Sequence, residues 1–334
     1  MSLQKLVALL GAALLAVACS QAPEPPVRMD YARWFHLLPD GRAVVLSPGG
    51  GADTLSAPVR RLVCMSSSYV GYLEAIGQDS TVVGVSGVQF LGNEKVAARA
   101  VEVGYDAALN YEAILRARPD LVLAYCVGAT QPLYLAKLRE LGIRTVVVNE
   151  HLENHPLARA EYVKLFGALT GHLSEADSVF TFVKEHYLSL VQPSVHCKVL
   201  VNIPYADEWF IPGGDNYMTR LFADAGGAIL GAVPGKAESS IISLETAYVY
   251  AQEADCWLHP GWCRSKDQLR SVHPFFATFP VLDKPVWNNT LQSTPGGGNR
   301  YWESGPVHPD LILEDLVGIF SGAPGTLHYY LPVE

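Results

Sequence analysis

From Arg61 onward, short apolar runs alternate with amphipathic stretches. Leu62-Val63-Cys64-Met65, Val82-Val83-Gly84-Val85, Leu121-Val122-Leu123-Ala124 and Thr145-Val146-Val147-Val148 have no polar alternation. Runs this short and this apolar predict parallel strands buried on both faces. Helical patterns over residues 69–76, 111–117 and 133–141 lie between them, the last closed by Gly142. The result is a βαβα lobe. A helical pattern then runs from 157 to 190, with Tyr162, Leu165, Phe166, Leu169, Val179, Phe182 and Val183 near helical spacing. Unbroken, it would be about 50 Å long, too long for one compact layer, so it reads as a connector. Gly171 is placed to bend it, and Ser174 to cap a second segment. The second half repeats the first, with strands at 198–201, 256–258 and Val286-Trp287, a helix over 217–225 and a closing helix over 311–320. Asn110-Tyr111-Glu112 before Asp120 and an apolar strand is matched by Ser243-Leu244-Glu245 before Asp255 and another. A polar cap, an early Glu and an Asp before a strand thus occur once in each half. Residues 28–57 read as an irregular hairpin or arm.

The N-terminus has a different pattern. Lys5 precedes an apolar run from Leu6 to Ala18, broken only by Gly11, and Ala16-Val17-Ala18-Cys19 follows. A positive start, a short apolar stretch and a small-residue exit make a secretory signal, too short to span a bilayer. A Cys directly after the small residues resembles a lipobox, although the usual Leu is replaced by Ala16, and this predicts lipidation of Cys19. The Pro-rich stretch behind it suits a tether.

The chain has 334 residues, 49% hydrophobic and 17% charged, with 24 Lys and Arg against 33 Asp and Glu and a formal net charge of −9. There is enough apolar side chain for two lobes, which excludes a wholly disordered chain. Acidity without a basic run argues against nucleic-acid binding. With Cys19 lipidated, Cys64, Cys126, Cys197, Cys256 and Cys263 remain. An odd number without CxxC spacing suits neither a zinc site nor a disulfide framework, and pairing of Cys256 with Cys263 is left open. His151 and His155 lack the adjacent Glu of a zincin, and Pro156 places His155 ahead of a helix, so no metal site is assigned. No GxSxG elbow or phosphate loop is present.

An ordered set of motifs carries a resemblance. Cys64-Met65-Ser66-Ser67-Ser68 leads a helix ending at Ile76-Gly77, and Val82 to Ser86 follows. Glu112 through Arg118-Pro119-Asp120-Leu121-Val122 is the most recognisable run. Asn202-Ile203-Pro204-Tyr205, Trp209, Pro212-Gly213-Gly214, Tyr217 and Asp224 to Gly227 come next, then Gly297 to Gly305 and Pro309-Asp310. Over roughly residues 60–322 the chain resembles class III substrate-binding proteins of ABC importers, which capture iron-siderophore complexes, haem and cobalamin. Its ending is similar to Bacteroidetes-type lipoprotein versions.

The resemblance implies an α/β protein of two Rossmann-like lobes on a long rigid connecting helix. The corresponding organisation is a signal peptide and lipobox (1–19), tether and arm (20–57), N-terminal lobe (58–156), connecting helix (157–192) and C-terminal lobe (193–334). It implies a monomeric, non-enzymatic receptor at the periplasmic face of the envelope, lipid-anchored to the membrane, handing its chelate to a permease dimer. Ligands sit at the carboxyl ends of strands in open α/β sheets. The loops there nominate Ser66, Ser67, Tyr69, Ser86, Tyr105, Tyr125, Trp209, Gly214, Tyr217, Trp262, Arg300, Tyr301 and Trp302. Broad aromatic contact suits flat chelates, and Arg300 suits an anionic group, which favours a ferric siderophore or haem over cobalamin. Axial ligation of haem has Tyr69, Tyr125, His259 and Tyr301 as candidates. Glu112 and Glu245 match the permease-docking glutamates of the family. No intrinsic cofactor is implied. The competing class is an extracytoplasmic chelatase-type enzyme, which would need a polar acid/base cluster in the cleft.

Overall fold

The structure is a computed structural model that describes residues 27, 29–56, 58–126, 132–206 and 208–334. The predicted signal and Cys19 lie outside the described residues. The first lobe holds five parallel strands in the order Val101–Glu102, Val82–Val85, Leu62–Cys64, Leu121–Ala124 and Thr145–Val147. Its two central strands, read as continuous apolar runs, are buried on both faces. The second lobe has the order Gly227–Ile229, Cys197–Val201, Cys256–Leu258, Val286–Asn288 and Leu331–Pro332, parallel except for the last pair.

The connecting region is helical over Pro156–Ala160, Val163–Thr170 and the 18-residue helix Leu173–Leu190. Gly171, at φ 80°, makes the bend its position predicts. Ser174 caps nothing, because the long helix already begins at Leu173. His155 caps the first segment instead, its Nδ1 accepting from the Leu157 amide at 3.0 Å. The closing helix Pro309–Phe320 packs along Leu173–Leu190.

The predicted irregular arm is a three-stranded antiparallel meander, Phe35–Leu37, Ala43–Leu46 and Ala52–Leu55. Two buried carboxylates explain why it is ordered. Glu161 accepts from the amides of Asp30, Tyr31 and Ala32 at 2.8–2.9 Å, and Glu153 accepts from those of Arg33 and Trp34. Each carboxylate thereby satisfies donors that burial would leave unpaired.

A second connection between the lobes has no counterpart in the hydrophobic pattern. The short helix Arg300–Glu303 returns from the second lobe and packs on helix Ser67–Ala75 of the first. The contact is so close that a Cβ on Gly71 would overlap the Glu303 carbonyl oxygen, and one on Gly298 the Phe90 carbonyl oxygen. The buried Glu303 carboxylate accepts from the amides of Gly92 and Asn93 at 2.6 and 3.0 Å.

Candidate functional site in the cleft between the lobes

Asn202, His259 and Asn289, each the first residue after a strand of the second lobe, face the first lobe. Asn202 and His259 turn the chain sharply, with φ of 67° and 60°. Strained non-glycine backbone of this kind gathers where a site must be shaped. Together with Ser67 and Phe90 of the first lobe, these residues line a cleft of about 600 Å³. Met218, Trp262, Arg264, Thr290, Ser293, Thr294, Asn299 and Trp302 complete its walls. Trp262 and Trp302 keep 65% and 45% of their surface exposed, so their rings are free to meet a ligand. Among the described residues the remaining lining is mainly amide and hydroxyl, with Arg264 as its cation and no carboxylate.

Of the residues nominated from sequence, Ser67, Trp262 and Trp302 line this cleft. Ser66 caps helix Ser67–Ala75 and bonds the Ser68 hydroxyl at 2.8 Å. Tyr217 lies beside Trp302 in a small apolar crevice, with the Arg159 guanidinium 4.3 Å from its ring centroid. Tyr105 is exposed on the first lobe, accepting from Gln89 at 2.7 Å, while Ser86 and Tyr125 are half-buried there.

Four nominated residues are packed against their neighbours rather than open to the cleft. Tyr69 is buried and ties two strand ends together, donating to the Ala124 and Val148 carbonyls at 3.1 and 3.2 Å. Trp209 is buried too, stacked on Trp257 and Phe279 and donating to the Val201 carbonyl at 2.9 Å. Tyr301 packs edge-on against His259, Tyr329 and Tyr330 inside the second lobe. Gly214 lies against the Val233-Pro234 backbone, where a side chain would clash. The three aromatics have been taken into the core, where their apolar area is worth more than at the cleft surface.

Arg300 also departs from expectation. Its guanidinium is paired with Glu74 at 3.0 Å and Glu303 at 3.1 Å, so its charge is already matched. The cation left to the cleft is Arg264, which the sequence reading missed. Its position two residues after Trp262 in a strand-end loop was the available signal.

Beneath the cleft runs a buried polar chain. Ser68 donates to Glu150 at 3.1 Å, and Glu150 pairs with Arg159 at 2.7 Å. Both charges are buried yet matched, which keeps their desolvation tolerable. His259 is held neutral, its pKa pushed down to about 3 by burial, and it shares a 2.6 Å hydrogen bond with the Tyr330 hydroxyl. His151, half-buried, contacts the Cys126 carbonyl at 3.0 Å, and His155 is the helix cap, so the two do not form one face. Among the described residues no group of three or more His, Cys, Asp or Glu is arranged to hold a metal ion.

Glu112 and Glu245 are exposed in the first turns of helices Tyr111–Ala117 and Leu244–Glu253, one on each lobe. Each helix runs back into a central parallel strand, which places its N-terminus at the cleft end of the sheet. Among the described residues neither glutamate pairs with a cation. The Ser243 side chain holds the Glu245 carboxyl below its ordinary range.

A family model described as periplasmic binding protein matches residues 62–280. An uncharacterized lipoprotein of Methanocaldococcus jannaschii is 28% identical over 287 residues, spanning 81% of this chain and 67% of the relative. A periplasmic heme binding protein from Pseudomonas aeruginosa superposes with a TM-score of 0.63 at 18% identity, over 83% of this chain and 98% of the other. A periplasmic vitamin B12 binding protein of Vibrio cholerae gives 0.53 at 17%, over 77% and 98%. At these identities the structural matches show a common two-lobed fold.

Proposed function

Because the chain belongs to the periplasmic binding protein family, we propose that it is an extracytoplasmic, lipid-anchored receptor, not an enzyme. In this reading it captures a metal chelate between its lobes and delivers it to an ABC importer. The supporting observation is the cleft itself, with two exposed tryptophans and a wall of amides and hydroxyls from both lobes. Among the described residues no carboxylate lines it, and the His259 imidazole is engaged with Tyr330, so an acid/base mechanism finds no support there.

The same lining bears on the ligand. Three of the four axial candidates are engaged elsewhere: Tyr69 and Tyr301 are buried and packed, and His259, although it lines the cleft, has its Nε2 bonded to the Tyr330 hydroxyl. The ligand we infer brings its own complete coordination shell, and a ferric siderophore fits, with Arg264 meeting its negative charge. Cobalamin is the second reading, favoured by Asn202, Asn289, Asn299 and Thr290, which complement a rim of amides. Tryptophan fluorescence titrated with ferric siderophores, cyanocobalamin, haemin and free ferric iron tests this. Saturable quenching by a saturated chelate is expected, and quenching by haemin alone would overturn the ligand reading.

Glu112 and Glu245 are proposed to dock the two lobes on a permease dimer, two exposed charges on separate rigid bodies fixing orientation. Glu112→Ala with Glu245→Ala should leave chelate affinity within about twofold while abolishing uptake. Lost affinity would instead assign them to the support of the cleft.

A further inference from the structure

The unassigned chemistry lies at the opposite end of the second sheet. Cys197 and Cys256 open adjacent parallel strands, Cys197–Val201 and Cys256–Leu258. Cys256 is in register with Val199, so it shares a face with Val199 and with Cys197, two residues earlier. Their sulfurs are 3.6 Å apart, and both side chains are almost fully buried. The sequence left open a pairing of Cys256 with Cys263; that residue lies beyond the other end of the strand, in the loop that follows it.

We propose that Cys197 and Cys256 are a disulfide site that staples the floor of the cleft from below. The cellular part of this proposal rests on the extracytoplasmic reading, since only an oxidising compartment supplies the oxidant. The two strands joined at their starts lead into Asn202 and His259, the strained residues that shape the cleft. The oxidant is a low-molecular-weight or protein disulfide. The Cys197 thiolate attacks one of its sulfurs and expels a thiolate, forming a mixed disulfide. Cys256 then gives up its proton, attacks the Cys197 sulfur and expels the second thiolate. The two cysteines lose two electrons and two protons, and the oxidant is reduced to two thiols. The hydrogen bond between the two sulfurs lowers the Cys197 pKa, which favours thiolate at Cys197, the attacking position in this order.

The test equilibrates the intact protein with excess oxidised glutathione, then alkylates it in denaturant and maps peptides by mass. Expected is a linked peptide pair containing Cys197 and Cys256, and a rise in Tm of roughly 5–15 °C that dithiothreitol reverses. Cys197→Ser and Cys256→Ser should each abolish both. Full alkylation of both residues, stable glutathione adducts, a different pair, or a linked pair without a Tm change would overturn the proposal. In cells, thiol trapping combined with fractionation separates the two readings. Envelope-located protein with both thiols free refutes the disulfide, whereas cytoplasmic protein refutes the compartment and leaves the glutathione equilibration to decide the bond.

Discussion

Removing the Glu303 carboxylate should loosen the second connection between the lobes. In the folded chain its side chain is 1% exposed and accepts from the Gly92 and Asn93 amides, while Arg300 lies 3.1 Å away. Glu303→Ala leaves the Gly92 and Asn93 amides without their acceptor in the packed seam and leaves Arg300 with Glu74 alone. An unmet buried donor costs about 1–3 kcal/mol, and breaking a buried pair about 3–5. Two effects lower the sum. Burial raises the Glu303 carboxyl above its usual range against the opposing pull of the amides and Arg300, so ionising it already carries a cost. Arg300 also keeps its second partner. A loss of about 3 kcal/mol is expected, and Glu303→Gln should fall between the two because one amide oxygen cannot serve both donors. Urea denaturation measures the total, and hydrogen exchange at the Gly92 and Asn93 amides locates it. A loss below about 1 kcal/mol with unchanged exchange at both amides would refute the reasoning.

Two further outcomes follow from the cleft. Trp302→Ala should weaken chelate binding by about 10–100-fold with little change in Tm, because the ring is half exposed and serves contact more than packing; equal losses of affinity and stability would show it to be structural. Acid should destabilise the protein through its buried imidazoles. The pKa of His259 is about 3 when folded against 6.5 for a free imidazole, so below 6.5 the unfolded chain binds a proton the folded chain refuses. Stability is then lost as pH falls from about 6.5 toward 3, by up to ~1.4 kcal/mol per unit. Burial lowers His151 and His155 in the same direction. His259→Asn, which tolerates the left-handed backbone, should flatten this slope; an unchanged slope in urea melts across that range would refute the assignment.

The repeated lobes, the bend at Gly171 and the strand-end location of the cleft were all legible in the sequence. They arise from local causes, since a strand buried on both faces must be apolar throughout, and a glycine at positive φ marks a break. The linear pattern also placed Glu112 and Glu245 in equivalent first turns, because each depends only on its own cap and the strand that follows. Individual cleft residues were harder to read. Trp209 and Trp262 each follow a central strand of the second lobe by a few residues, yet Trp209 opens the short strand Trp209–Ile211 in the core and Trp262 is exposed in a turn.

What the sequence determined by itself was therefore periodicity, topology class and the neighbourhood of the site. Tertiary structure alone decided that Arg300 spends its charge on Glu74 and Glu303, that Arg264 is the cation left to the cleft, and that Cys256 meets Cys197. The physical reason is range. Backbone preference and burial pattern act over a few residues, whereas the pairing of a charge or a thiol depends on which atoms the packed lobes bring within a few ångströms: Arg300 meets Glu303 in its own turn but Glu74 in the other lobe, and Cys197 and Cys256 are 59 residues apart.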